Sequence, residues 1–125
     1  MNPVSWFEIQ VQDMARAVAF YESVLGVTLT NLPMPGEVGG MEMCVFPGEM
    51  EKPGSSGALV KMEGSSRGPG GTLVYFECAD CAVEESKAVP AGGKVLQAKM
   101  DLGPYGFCSV IEDTEGNPIG LHSMQ

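Results

Sequence analysis

The sequence predicts an α+β fold of two tandem β-α-β-β-β modules that pack together. A stretch rich in glycine, serine and proline, GSSRGPGG, divides the 125-residue chain nearly in half. Both halves show the same order of one strand, one helix and three further strands. Moving the first half by 67 residues places Asp13 on Asp80 and Gly26 on Gly93. Such spacing is typical of a repeated unit that buries its sheet by pairing with a second copy.

In the first half, the segment WFEIQVQ alternates apolar and polar residues and predicts the opening strand. The following segment, DMARAVAFYESVLG, predicts a helix that begins after Asp13 and ends at Gly26. Its apolar residues are expected to form one stripe facing the sheet; they are Ala17, Val18, Phe20, Tyr21, Val24 and Leu25. Three strands are predicted in VTLTN, MEMCVF and GALVKME.

In the second half, TLVYFEC predicts the opening strand, and ADCAVEESKAVPAGG predicts a helix capped by Asp80 and limited by Pro90. Strands are predicted in KVLQAKM, GFCSVIED and PIGLHSM, the last two joined by a tight turn at TEGN. The expected organisation is a single domain, residues 1–125, with module one at 1–64, a linker at 65–71 and module two at 72–125.

Composition excludes some classes of function. Sixteen acidic residues against seven basic ones give a formal charge of −9, which opposes binding to nucleic acid. No apolar run is long enough for a membrane helix, so we expect no membrane partner. The N-terminus lacks the pattern of a signal peptide, and we therefore expect a cytoplasmic protein.

The polar face of the first strand is the main functional clue. Glu8 and Gln10 alternate with the apolar residues of the strand, beside the large ring of Trp6. The equivalent positions of the second module also mix apolar and polar side chains; they are Leu73, Tyr75 and Glu77. Helices are expected on the opposite, apolar faces. A mixed lining of this kind is typical of a small-ligand cavity, and a solvated face is the alternative.

The four cysteines include one C-x-x-C pair, Cys78 and Cys81. Redox or metal chemistry is one reading of this pair, because a helix start lowers a thiol pKa. Cys78 also alternates in step with Val74 and Phe76, which is typical of a core residue. No second pair completes a zinc site. The core reading is favoured, and the role of the pair stays open.

The segments DMARAVAFYESVLG and EDTEGNPIGL resemble the first helix and the final hairpin of the vicinal oxygen chelate superfamily. That superfamily includes glyoxalase I, bleomycin-resistance proteins and extradiol dioxygenases. The resemblance covers nearly the whole chain. It implies a cup-shaped sheet with a site inside, commonly a homodimer, and in many members a divalent metal held by four side chains.

The metal positions implied by the resemblance are not metal ligands in this sequence; they fall on Trp6, Lys61, Leu73 and Gly120. Because none offers a suitable donor, we expect no metal and no other cofactor. Lys61 is expected to pair with Glu8 in the space that a metal would fill. A rebuilt metal site is the alternative, with donors among Glu8, Gln10, Glu63, Glu77 and His122. His122 lies close to the C-terminus and is expected to be a frayed surface residue, although it can share a face with Gly120.

The sequence therefore favours a glyoxalase- or bleomycin-resistance-like protein that binds a small, mostly apolar molecule without a metal. The alternative is a glyoxalase-like lyase or isomerase, or a dioxygenase-related enzyme, with Glu8 as general base and Tyr75 as a hydrogen-bond donor to an oxyanion. The predicted ligand-binding set is Trp6, Glu8, Gln10, Lys61, Leu73, Tyr75, Glu77, Gly120 and His122. The segment MDLGPYGF is expected to form a lid with Tyr105 at its tip.

Overall fold

The computed structural model describes residues 3–34, 40–49, 52–62 and 71–125. The predicted linker 65–71 therefore lies outside the described residues except for Gly71, as do Met50 and Glu63. The element order is β-α-β-β-β twice, which confirms the predicted α+β class. The chain divides into two compact units: a first unit, Ser5–Leu73, and a second unit, Val74–Gln125 together with the N-terminal residues up to Val4.

The first unit contains a mixed sheet in the order β2-β3-β4-β1. The central pair, β1 and β4, runs parallel, and β2 and β4 pair with β3 in antiparallel fashion. The elements of this unit are β1 (Val4–Gln10), α1 (Met14–Leu25), β2 (Thr30–Asn31), β3 (Met41–Val45) and β4 (Ser56–Met62). A parallel pair needs a long crossover, and α1 is part of the one that joins β1 to β4.

Helix α1 begins and ends where the sequence predicts. The Asp13 carboxylate accepts a hydrogen bond from the Arg16 backbone N–H at 3.0 Å, and Gly26 takes the left-handed conformation with φ 65°. The helix contacts the sheet through the Tyr21 ring, which meets Phe46 edge-on. Phe20 and Val24 instead stay exposed, at 58% and 62%. The predicted apolar stripe of α1 is therefore wider than the part of the helix that packs against the sheet.

The second unit contains a mixed sheet in the order β5-β8-β7-β6. Its parallel pair is β5 and β8, and the other two pairs are antiparallel, with register shifts between β6 and β7. The elements of this unit are β5 (Thr72–Glu77), α2 (Cys81–Ala88), β6 (Lys94–Asp101), β7 (Phe107–Glu112) and β8 (Pro118–Ser123). Both units thus pair the first and last strands of their module in parallel.

Helix α2 begins after Asp80, as predicted, because this carboxylate accepts a hydrogen bond from the Ala82 N–H at 3.0 Å. It ends at Ala88, two residues before Pro90. The left-handed glycine near this end is Gly92 rather than Gly93, so the helix ends of the two modules differ. Neither helix in the described part of the chain could span a membrane.

Candidate functional site

Apart from Lys61, the predicted site residues lie on two surfaces, one in each unit, and both surfaces are on the sheet face turned away from the helix. In the first unit this face is fixed by the register of β1 on β4, in which Glu8 lies beside Ala58 and Gln10 beside Val60. Side chains of neighbouring residues in register point to the same side of a sheet. We call the face that carries Trp6, Glu8 and Gln10 the Glu8 face.

The Glu8 face is largely apolar. A buried cluster of Met43, Ala58 and Val60 occupies its centre. Partly buried apolar side chains pack against this cluster; they are Trp6, Leu32, Met34, Met41 and Val45. Methionine and indole side chains offer polarizable, adaptable surface to an apolar ligand. Met34, Met41 and Met43 therefore contribute to the face itself.

Glu8 is the buried charged group of this face, only 7% exposed. The indole N–H of Trp6 donates a hydrogen bond to Oε2 of Glu8 at 3.0 Å. A carboxylate removed from water needs donors to offset the lost hydration, and the indole supplies one. The expectation that this alternation turns Glu8 away from bulk solvent agrees with the structure.

The predicted ion pair between Glu8 and Lys61 is wrong. Ala58 and Val60 of β4 share the Glu8 face, so Lys61, the next residue, points to the opposite face. Lys61 lies in register with Glu42 of β3 on that opposite face. The sequence pattern of each strand was read correctly, but the register between β1 and β4 decides which residues meet.

The second surface carries Tyr75, Glu77, Gly120 and His122. Tyr75 lies in register with Gly120, and Glu77 with His122, so all four residues share one face of the second unit. The Tyr75 ring lies so close to Gly120 that a β-carbon at position 120 would overlap it. Gly120 is therefore a packing position under the ring.

The sequence predicted a frayed surface position for His122, and this prediction is wrong. The His122 ring is held from both sides. Its Nδ1 lies 3.0 Å from Oε1 of Glu77, and its Nε2 lies 2.7 Å from the carbonyl oxygen of Tyr105. Its side chain is 15% exposed. Both neighbours can accept a hydrogen bond from a ring N–H, so the ring is held on two sides. Glu77 lies 45 residues away in sequence, so no local sequence pattern could predict that it contacts His122.

The segment predicted as a lid forms a short 3-10 turn, Gly103–Tyr105, and its backbone is bonded to His122. Gly106 follows the turn with φ 91°, and a β-carbon there would meet the Ser123 carbonyl oxygen. A glycine is needed for this close approach. The turn is therefore fastened to β8 through the His122 ring.

The residues at the four positions implied for a metal do not fit a divalent cation. The Trp6 N–H donates to Glu8, Lys61 lies on the other face, Leu73 is apolar and buried, and Gly120 has no side chain. Within residues 3–34, 40–49, 52–62 and 71–125, no three His, Cys, Asp or Glu side chains converge as a metal site would require. Of the donors considered for a rebuilt site, Glu63 lies outside these ranges.

Comparisons with known proteins agree with the fold. A family model described as bleomycin resistance protein-like N-terminal matches residues 4–43. A Mycobacterium bovis protein named "Putative glyoxylase CFP32" is 31% identical over 119 residues, which cover 94% of this chain. The chain spans 44% of the length of that relative, and the same values hold for its Mycobacterium tuberculosis counterpart.

Solved structures give the same result at the level of fold. A variant of Streptomyces coelicolor methylmalonyl-CoA epimerase, in complex with 2-nitronate-propionyl-CoA, superposes with a TM-score of 0.72 at 20% identity, covering 98% of this chain and 97% of that one. Methylmalonyl-CoA epimerase from Mycobacterium tuberculosis gives 0.70 at 15% identity, covering 98% and 88%. The repeated β-α-β-β-β units and these relatives support assignment of the chain to the vicinal oxygen chelate superfamily.

Proposed function

We propose that this protein binds a small, mostly apolar molecule on the Glu8 face, and that it does so without a metal. The observation that carries the proposal is the buried Glu8 carboxylate, bonded to Trp6 and set beside the methionine-rich cluster. A few fixed polar groups in an apolar lining orient a ligand while the apolar surface supplies the affinity. Gln10 is the second polar group of this face.

The charge of the chain narrows the ligand class. The epimerases of this fold were solved with CoA esters, which carry several phosphate charges. A protein with seven basic residues and a net charge of −9 repels such a ligand. We therefore propose a neutral or cationic ligand and expect propionyl-CoA to serve as a negative control.

Trp6 provides the test, because it is the one tryptophan of the sequence. Its emission reports directly on the Glu8 face during titration with a panel of small apolar compounds, and a ligand must also raise the melting temperature. Glu8→Gln should weaken binding. Glu42→Gln, on the opposite face of the same unit, is the matched control and should not. A ligand with the same affinity for Glu8→Gln as for Glu42→Gln would refute the proposal.

A glyoxalase-like lyase or isomerase is the second candidate, favoured by the named glyoxylase relative and by the buried carboxylate. In this case Glu8 is the general base, and the Tyr75 hydroxyl donates to a developing oxyanion. Turnover of a 2-oxoaldehyde hemithioacetal, with and without added Ni²⁺ or Zn²⁺, separates the enzyme from the binder. Turnover that requires a metal would refute the metal-free site.

A cytoplasmic homodimer is part of the same proposal, and sedimentation velocity tests the oligomeric state. Leu73, Tyr75, Glu77, Gly120 and His122 remain proposed contacts. Lys61 is left out of the proposed contacts, because its register with Glu42 supports a position away from the Glu8 face.

A further inference from the structure

The methionines of the Glu8 face differ widely in their exposure to solvent. Met43 belongs to the buried centre of the face and is only 5% exposed. Met41 packs against that centre and is half-buried. Met62 is 45% exposed and lies in register with Met41 on the neighbouring strand. The proposed function does not use Met62.

The strand pairing places Met62 on the same face as the buried centre. Val60 of β4 belongs to that centre and lies in register with Met43 of β3. Met62 follows Val60 by two residues, so its side chain points to the same side of the sheet. Residues directly opposite each other in an antiparallel pair have β-carbons about 5 Å apart, so the Met41 and Met62 side chains are neighbours. Met62 is therefore the exposed end of a row of methionine side chains.

Oxidation changes the character of a methionine side chain. Hydrogen peroxide transfers one oxygen atom to the sulfur lone pair, so that an S=O bond forms, the O–O bond breaks and water leaves. The sulfur is oxidised by two electrons and the peroxide is reduced. An apolar thioether thereby becomes a polar sulfoxide. Because the oxidant must reach the sulfur, the exposed Met62 should react first and the buried Met43 last.

We propose that Met62 is an oxidation site through which peroxides weaken ligand binding on the Glu8 face. This inference rests on the proposed function and adds a means of regulating it. A sulfoxide at Met62 places a hydrogen-bond acceptor beside Met41, at the edge of the apolar surface. A neutral apolar ligand that covers this acceptor removes its water without supplying a donor, which costs free energy. Methionine sulfoxide can be reduced enzymatically, so the change is reversible.

Graded treatment of the full chain with hydrogen peroxide tests this proposal, with the neutral apolar fluorophore Nile red as the ligand. Peptide mapping by mass spectrometry gives the sulfoxide fraction at each methionine, and fluorescence titration gives the affinity. Met62 sulfoxide is expected to form before the sulfoxides of Met41 and Met43, and the affinity should fall about tenfold as it forms. Methionine sulfoxide reductases with dithiothreitol should restore the affinity.

Two leucine variants identify the methionine responsible, because leucine has nearly the volume of methionine and no sulfur to oxidise. Met62→Leu should retain its own untreated affinity after peroxide. Met124→Leu is the matched control, because Met124 is 60% exposed but lies in the second unit. This control should lose affinity as the unaltered protein does. An equal loss in the two variants would overturn the proposal.

The unaltered protein gives a second test. An affinity that stays constant while Met62 becomes fully oxidised would overturn the proposal, and so would a sulfoxide that forms at Met43 before Met62. Untreated protein that does not bind Nile red would count against the proposed function and would overturn this inference with it. Binding that is present before treatment and survives oxidation of Met62 would contradict this inference alone, so the two failures are distinguishable.

Discussion

The indole N–H of Trp6 lies 3.0 Å from Oε2 of Glu8, two residues along the same strand, so one side chain of the Glu8 face holds another in place. The pair ties the fluorescence of the protein to the surroundings of Glu8 and to ligand binding on this face. It also means that changing either residue alters the other.

Glu8→Ala should shift Trp6 emission and destabilise the protein by about 1–3 kcal/mol, because a buried N–H loses its acceptor. Glu8→Gln keeps an acceptor oxygen and should therefore lower the free energy of unfolding by less than Glu8→Ala does. Emission spectra and denaturant unfolding measure both effects. An Ala variant with unchanged emission and stability would contradict the observed hydrogen bond.

Gly120→Ala should destabilise the second unit by about 1–3 kcal/mol, because the added carbon overlaps the Tyr75 ring. Tyr75→Leu should relieve the overlap, so the double variant should be more stable than the sum of the single changes implies. Gly48→Ala is the control, since its nearest neighbour is the Ser56 hydroxyl at 3.3 Å, the end of a short side chain. Additive single changes at positions 75 and 120 would contradict the contact.

His122→Ala should free the turn at Gly103–Tyr105, because the turn loses its bond to the ring. Hydrogen exchange at Tyr105 and Gly106 should become faster, and Glu77→Ala should give a smaller effect by removing only the second partner of the ring. Exchange that stays unchanged in His122→Ala would show that the ring does not fasten the turn.

Asp80 and Lys99 form an ion pair of 2.8 Å that predicts pH dependence. The Lys99 hydrogen bond and the capped Ala82 N–H lower the pKa of Asp80, so its contribution to stability is present above about pH 4 and is lost as the pH falls through the lowered pKa. The Asp80 hydrogen bond raises the pKa of Lys99, so that contribution is complete below about pH 10 and is lost as the pH rises through the raised pKa.

Asp80→Asn keeps a capping side chain but should flatten the acid limb of a plot of unfolding free energy against pH. Lys99→Met should flatten the same acid limb, because it removes the other partner of the ion pair. The double variant should add little to either single change, and fully additive effects would contradict the pairing.

The thiol of Cys78 should resist alkylation, because burial and the Glu84 hydrogen bond raise its pKa to about 12. At pH 8 roughly one molecule in ten thousand carries the thiolate, so iodoacetamide should react on the order of a thousandfold more slowly than with the unfolded chain. Peptide mapping by mass spectrometry measures the rate at this site. Fast labelling of Cys78 in the folded protein would refute this, and would return the C-x-x-C pair to the redox reading.

Local signals predicted much of the fold. Asp13 and Asp80 were identified as caps because capping depends on residues within one turn. Strand alternation assigned Glu8 to the face away from the helix for the same reason, since parity within one strand is a local property. The linker and the long loop before β3 include residues outside the described part of the chain.

Errors arose where partners are distant in sequence. Lys61 was paired with Glu8 because the parity of β4 relative to β1 depends on a register that neither strand encodes alone. His122 was read as frayed because Glu77 and Tyr105 reach it through the sheet order and the turn.

The alternation of side chains between the two faces of β1 has a consequence for how the protein can evolve new binding preferences. Even-numbered positions 6, 8 and 10 belong to the Glu8 face, whereas Phe7 packs on Phe46 beneath α1. Selection can therefore exchange every second residue of one strand to suit a new ligand and leave the residues that hold the helix untouched. A randomised library at the even positions should accordingly yield folded proteins with altered binding preferences far more often than a library at the odd positions.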